Sequence, residues 1–119
     1  MILVDTSIWV SHFRSGNPRL ETLLLNGEVA CHPFIIGELA CGNLKNGQEI
    51  LSLLKALPAA MKAEHNEVLY FIEQHRLMGM GLGYVDVHLL ASALLSTIPL
   101  WTKDKDLKKA SLRLNVSYK

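Results

Sequence analysis

Four acidic residues sit at the edges of hydrophobic segments spread over the whole chain: Asp5 in ILVDTSIW, Glu38 in FIIGELACG, Asp86 in GYVDVHLLAS and Asp104 in LWTKDKDL. A carboxylate embedded in apolar sequence is drawn toward the folded interior, where a charge is costly unless it is paired or bound to metal. No fixed cationic partner stands out for any of the four. A divalent cation could hold several of them together. Magnesium and manganese prefer hard oxygen ligands, and a bound ion can activate a water and polarise a phosphate oxygen. Such a site needs neither cysteine nor histidine, but it needs carboxylates held closer than they would choose. Two like charges ~4 Å apart repel by about 4 kcal/mol at an effective dielectric of about 20, and the metal must offset that.

Each acid alone also has a structural explanation. Asp5 suits the cap of a following helix. Glu38 suits a solvent-facing helix position. Asp86 and Asp104 lie near helix starts, where the backbone dipole favours negative charge. Together they read differently. Asp86 lies between two valines, and Asp5 directly follows the apolar Ile2 to Val4 run. Glu38 lies beside Gly37, and the small Gly37 and Gly42 would let another backbone approach there.

The elements that must position these residues follow from periodicity and breakers. Ile2 to Val4 reads as a buried strand ending at Asp5. Thr6 and Ser7 start a helix through Ile8, Trp9 and Phe13, which Ser15-Gly16-Asn17-Pro18 breaks. A second helix covers Arg19 to Leu25, and Val29 to Cys31 is a second strand. Pro33 opens a helix in which Phe34, Ile35, Glu38, Leu39 and Gly42 keep helical spacing. Further helices span Gln48 to Leu57, Glu64 to Arg76, Val85 to Leu95 and Asp104 to Leu114. Ile50, Leu53, Leu54 and Leu57 share one face of the first of these, and Pro58 ends it. Met78 to Gly83 is a glycine-rich turn that places Asp86. Ile98 to Trp101 is a strand, and Val116 to Tyr118 is the last one.

Short apolar strands separated by helices predict an α/β fold: one domain with a small parallel sheet and helices on both faces. In such sheets ligands bind beyond the carboxyl ends of the strands. Asp5 sits at one such end, and Asp104 follows another, after Trp101.

The same four segments carry a resemblance. The chain resembles the PIN-domain ribonucleases, and more narrowly the VapC toxins of bacterial toxin–antitoxin pairs. MILVDTSIWV resembles the family's opening strand and first acid, and HPFIIGELACG the segment with the second. GLGYVDVHLLASALL resembles the third, with the small residues Ala91, Ser92 and Ala93 behind it. LWTKDKDL resembles the fourth, where an acid follows a Thr-x step. The match runs in order over nearly the whole chain. It implies an endoribonuclease that hydrolyses RNA phosphodiester bonds with metal-activated water. Asp5 and Asp86 would be the leading ligands of Mg2+ or Mn2+, with Glu38 and Asp104 completing the site. Thr6 carries a hydroxyl suited to fixing a carboxylate. Asp104 is preferred to Asp106 because it keeps the Thr-x-Asp step. The resemblance also implies a cognate VapB-like antitoxin partner and a homodimer. Two alternatives stay beside it. One is a non-catalytic PIN-like protein-binding module. The other is a haloacid-dehalogenase-like phosphatase with Asp5 as nucleophile, which would need a second acid where Ser7 stands.

Other features are weaker. Arg14, Lys103 and Lys105 are candidate RNA-phosphate contacts, although charged residues of this kind usually form a solvated surface. Gly79, Gly81 and Gly83 lack the Lys-Ser/Thr of a phosphate loop. His88, two residues from Asp86, falls on a different helical face and reads as structural. Met78, Met80 and the helix faces near Trp9 and Leu24 are candidate interface residues.

Bulk properties agree. The 119 residues suffice for one core. Half are hydrophobic and the mean hydropathy is +0.21, an excess consistent with a self-association or partner surface. A net charge of +1 removes bulk charge as a nucleic-acid signal, leaving local clusters of the 12 Lys and Arg. Cys31 and Cys41 form neither a zinc pattern nor a disulfide framework. No basic leader and no long apolar run appear, so a cytoplasmic protein without a membrane span is expected.

Overall fold

The computed structural model describes residues 1–119 and has an α/β architecture. Strand β1 (Ile2–Val4) leads into helices α1 (Thr6–Ser15) and α2 (Pro18–Leu25), then strand β2 (Val29–Ala30). Helices α3 (Pro33–Ala40), α4 (Gly47–Lys55), α5 (His65–Gln74) and α6 (Tyr84–Ser96) follow. Strand β3 (Leu100–Trp101) and helix α7 (Lys105–Arg113) complete the chain.

The strands form a parallel sheet in the order β2-β1-β3. All three side chains of β1 are buried. Successive strand residues point to opposite faces, so both faces of the sheet are covered. Chain order reverses about β1: the chain moves from β1 to β2 on one side and returns to β3 on the other. That reversal opens a crevice at the carboxyl ends of β1 and β3, the usual ligand position in such sheets. Asp5 and Thr102 are the first residues past those two ends.

Local chemistry explains the helix boundaries. Asn17 caps α2 by accepting from the Leu20 N–H at 3.0 Å, with Pro18 at the first helical position. His32 does the same for α3, its Nδ1 accepting from Phe34 N–H at 3.0 Å ahead of Pro33. Glu64 and Glu67 form a reciprocal capping box for α5. The core joins Leu3, Val4, Ile8, Leu20, Ile35, Val68, Leu89, Leu90, Leu100 and Leu107, all fully or almost fully buried.

Several elements differ from the sequence reading, and β3 starts at Leu100 rather than Ile98. Val116 to Tyr118 is no strand; a single bridge pairs Ser117 with Leu100, flanked by bonds from Leu100 N–H to Val116 O and Tyr118 N–H to Leu100 O. Helix α4 stops at Lys55, and the chain then runs extended so that Ala59 pairs with Cys31. Cys31 takes part in that pairing beyond the short β2. Leu53, on the helix face shared with Ile50, Leu54 and Leu57, is 70 % exposed. Helix α3 ends before Gly42, and a Cβ at Gly37 would meet nothing within 4 Å. The room at Gly37 is therefore unused, while a Cβ at Gly42 would meet the Leu39 carbonyl oxygen at 3.4 Å.

Candidate active site

Asp5 ends β1 and begins α1, and its side chain does not cap that helix. Its Oδ2 instead accepts from Thr102 Oγ1 at 2.7 Å and from Ser7 Oγ at 2.9 Å. Only 5 % of Asp5 is exposed. Thr102 stands at the end of β3, held in register by the bond from Asp5 N–H to Trp101 O at 2.9 Å. Ser7 also accepts from the Lys103 N–H at 2.9 Å, and Thr102 Oγ1 from the Asp104 N–H at 3.0 Å. A hydroxyl lattice thus ties the first acid to the segment carrying the fourth.

Glu38 lies on the exposed last turn of α3, where its Oε1 accepts from Thr6 Oγ1 at 2.7 Å. Asp86 lies in the first turn of α6, where its Oδ2 accepts from Gly83 N–H at 2.9 Å. Asp104 caps α7, its Oδ1 accepting from Leu107 N–H at 2.9 Å. The glycine-rich turn before Asp86 has left-handed backbone at Gly79 and Gly81. A Cβ on Gly81 would fall 2.7 Å from Oδ2 of the exposed Asp106 side chain, which would have to turn aside, so glycine is needed there chiefly for its left-handed backbone.

The fold therefore directs all four acids to one end of the sheet. Burial pushes the Asp86 carboxyl above its ordinary range, the Gly83 N–H opposes this, and the charges of Asp104, Asp5 and Glu38 push it further up. The Asp106 carboxylate lies against Gly81. In each carboxylate the bonds described engage one oxygen, and every donor is a hydroxyl or a backbone N–H, neither an ammonium nor a guanidinium. No three His, Cys, Asp or Glu side chains stand close enough to share one ion in this structure. The donor set itself, four hard oxygen groups without a cationic partner, suits magnesium or manganese.

Among the cations assigned to RNA, Lys103 lies along α1, with Nζ donating to Ser11 Oγ at 3.1 Å. Lys105 is exposed on the first turn of α7, and Arg14 is exposed near the end of α1. His88 takes no part. It is buried against Phe34 and Tyr84, with ring centroids 4.6 and 4.5 Å away, and neither ring nitrogen has a partner.

Sequence reasoning missed the two hydroxyls that orient Asp5. Their signal was present: Thr102 is the Thr of the Thr-x-Asp step, and Ser7 sits two residues after Asp5. Neither residue type announces a long-range bond.

Comparison with known proteins covers nearly the whole chain. The PIN domain family model matches residues 2–112. Ribonuclease VapC32 of Mycobacterium tuberculosis is 46 % identical over 118 residues, 98 % of this chain and 95 % of that protein. Ribonuclease VapC1 of Methanocaldococcus jannaschii is 30 % identical over 108 residues, 87 % of this chain and 76 % of that protein. The crystal structure of PAE2754 from Pyrobaculum aerophilum shares the fold, with a TM-score of 0.62 and 18 % identity over 96 % of this chain and 88 % of that one.

Proposed function

The chain belongs to the PIN domain family, and from that premise we propose that it is a VapC-type endoribonuclease acting as the toxin of a toxin–antitoxin pair. What supports this reading is the placement of Asp5, Glu38, Asp86 and Asp104 toward one end of the sheet, each tied by neutral donors and none paired with a cation. The names of its VapC relatives support a ribonuclease.

Asp5 and Asp86 would be the leading ligands of a magnesium or manganese ion, with Glu38 and Asp104 completing the set. When bound, the ion would supply Lewis acidity and a nucleophile at neutral pH. The chain's own residues supply orientation. Thr102 and Ser7 hold Asp5 in one rotamer, Thr6 holds Glu38, and the Gly83 N–H holds Asp86. Such supporting bonds typically govern metal affinity by ~10–100-fold. Lys103 and Lys105 offset the repulsion that four carboxylates exert on an RNA phosphate.

An antitoxin and a second copy of the chain are the proposed protein partners. An apolar groove of about 330 Å³ between α1, α2 and α4, walled by Trp9, Phe13, Leu24 and Leu53, supports a protein contact. No helix is long and apolar enough to cross a membrane.

The test is cleavage of a mixed RNA pool by the purified chain with magnesium, with manganese and with chelator. Ion-dependent endonucleolytic products that vanish in Asp5→Asn support the proposal. No cleavage under any of these conditions, or full cleavage by folded Asp5→Asn, rejects it.

A further inference from the structure

A second cavity, of about 450 Å³, opens between the outer half of α1 and the loop joining α3 to α4. Phe13, Leu44 and Ile50 form apolar walls. Arg14, Lys45, Asn43 and Asn46 ring it with polar groups, and no acidic residue lines it. Apolar walls beside exposed donors of both amide and cationic kinds can seat a ring and an anion together.

Two observations point to its occupant. Thr6, Val10 and Arg14 recur at intervals of four along α1 and therefore share one helix face. Thr6 touches Glu38, whereas Val10 and Arg14 line the cavity. Eight residues at ~1.5 Å rise separate the two ends of this stripe by roughly 12 Å. The cavity and the acids are thus neighbours on one continuous surface. The second observation is Asn46. It occupies the cap position of α4 with left-handed backbone (φ 57), yet its side chain makes no capping bond. Its exposed amide carries both a donor and an acceptor, the pair needed to read the edge of a base.

We propose that this cavity is a nucleotide subsite that receives an RNA base and its phosphate a short way along the strand from the scissile bond. Arg14 and Lys45 take the phosphate, Asn43 and Asn46 face the base edge, and the apolar walls hold the base plane. The inference rests on the ribonuclease reading but concerns binding, which is measured separately.

The test is binding of a fluorescent single-stranded RNA in chelator, where no cleavage interferes, over a series of salt concentrations. Arg14→Ala and Lys45→Ala are each expected to weaken binding about tenfold and to lower the salt slope by about 1. Lys55→Ala, which removes the same charge elsewhere, is expected to leave affinity within about twofold. Asn46→Ala is expected to alter which of AMP, GMP, CMP and UMP competes best. Under turnover, the Arg14 and Lys45 variants should raise KM with little change in kcat. Equal losses in all three charge variants, or no loss in any, would overturn the subsite. So would tighter binding of a poly-glutamate peptide than of RNA, which would assign the cavity to an acidic protein segment. If the wild type binds RNA through Arg14 and Lys45 but never cleaves it, the ribonuclease reading fails and the subsite stands.

Discussion

Thr102 Oγ1 donates to Asp5 Oδ2 at 2.7 Å across 97 residues of sequence, joining the ends of the two strands that flank the crevice. This bond is buried, and the acid it holds is the most enclosed of the four. Removing the donor leaves a buried carboxylate oxygen short of a partner.

Thr102→Val leaves Ser7 Oγ as the one remaining donor to Asp5 Oδ2 and is expected to cost about 1.5–3 kcal/mol of stability, the contribution of a hydrogen bond to a charged group. Urea unfolding measures it. Thr102→Ser keeps the hydroxyl and should restore ribonuclease activity, whereas Thr102→Val should not. Equal activity in the two variants would show that the bond does not orient Asp5.

Asp86 is expected to be a residue whose neutralisation helps the fold and harms the function. Its carboxyl is raised by burial and by Asp104, Asp5 and Glu38. A carboxyl with a raised folded pKa binds its proton more tightly folded than unfolded, so the ion-free protein gains stability as pH falls through that raised value. Asp86→Asn should accordingly melt higher than wild type in chelator while losing cleavage by roughly 100-fold or more. A lower melting temperature than wild type would contradict the crowding of charge inferred here.

His32 predicts the opposite pH response. It is fully buried, and burial, followed by His88 and Lys62, lowers its pKa to about 4. A histidine held neutral in the fold but ordinary when unfolded takes up its proton mainly in the unfolded state. Stability is therefore retained above pH ~6.5 and lost between there and about 4, by on the order of 3 kcal/mol. His32→Asn keeps an acceptor for Phe34 N–H and should flatten this dependence in urea titrations from pH 7 to pH 4.5. An unchanged slope would assign the acid sensitivity to other groups.

Gly81→Ala should perturb the turn that delivers Asp86. Left-handed backbone at φ 78 costs a side-chain residue about 1–3 kcal/mol, and its Cβ would collide with Asp106 Oδ2. Adding Asp106→Ala removes the collision but not the backbone cost, so partial recovery of stability and cleavage is expected. Full recovery would make the contact with α7 the whole effect, and no recovery would make it irrelevant.

The parts of this architecture set by local chemistry were legible in the sequence. The Ile2 to Val4 run, the breakers at Gly16-Asn17-Pro18 and the proline before α3 act on their immediate neighbours, and the structure follows them. The candidate acids were legible because charge inside apolar sequence is conspicuous. What escaped was pairing between distant backbones. The bridge of Cys31 to Ala59 and the reduction of Val116 to Tyr118 to one bridge depend on where other strands lie. Ser7 and Thr102 escaped for the same reason, since a hydroxyl serves equally as a cap, a surface group or the mate of a remote carboxylate. Asn46 escaped because its type at a helix start ordinarily means capping, which it does not do.

Ser117 pairs in parallel with Leu100, and the Tyr118 hydroxyl is fixed by the Arg19 Nε–H at 2.6 Å. The closing residues thus travel alongside β3 in the direction of Thr102. Anything fused behind Lys119 would emerge on the side of the sheet where the acids gather, whereas a fusion ahead of Met1 would leave from the opposite side. A carboxy-terminal polyhistidine purification handle would bring metal-scavenging imidazoles to the place where ion dependence is to be measured. An amino-terminal handle is the sound choice for those assays.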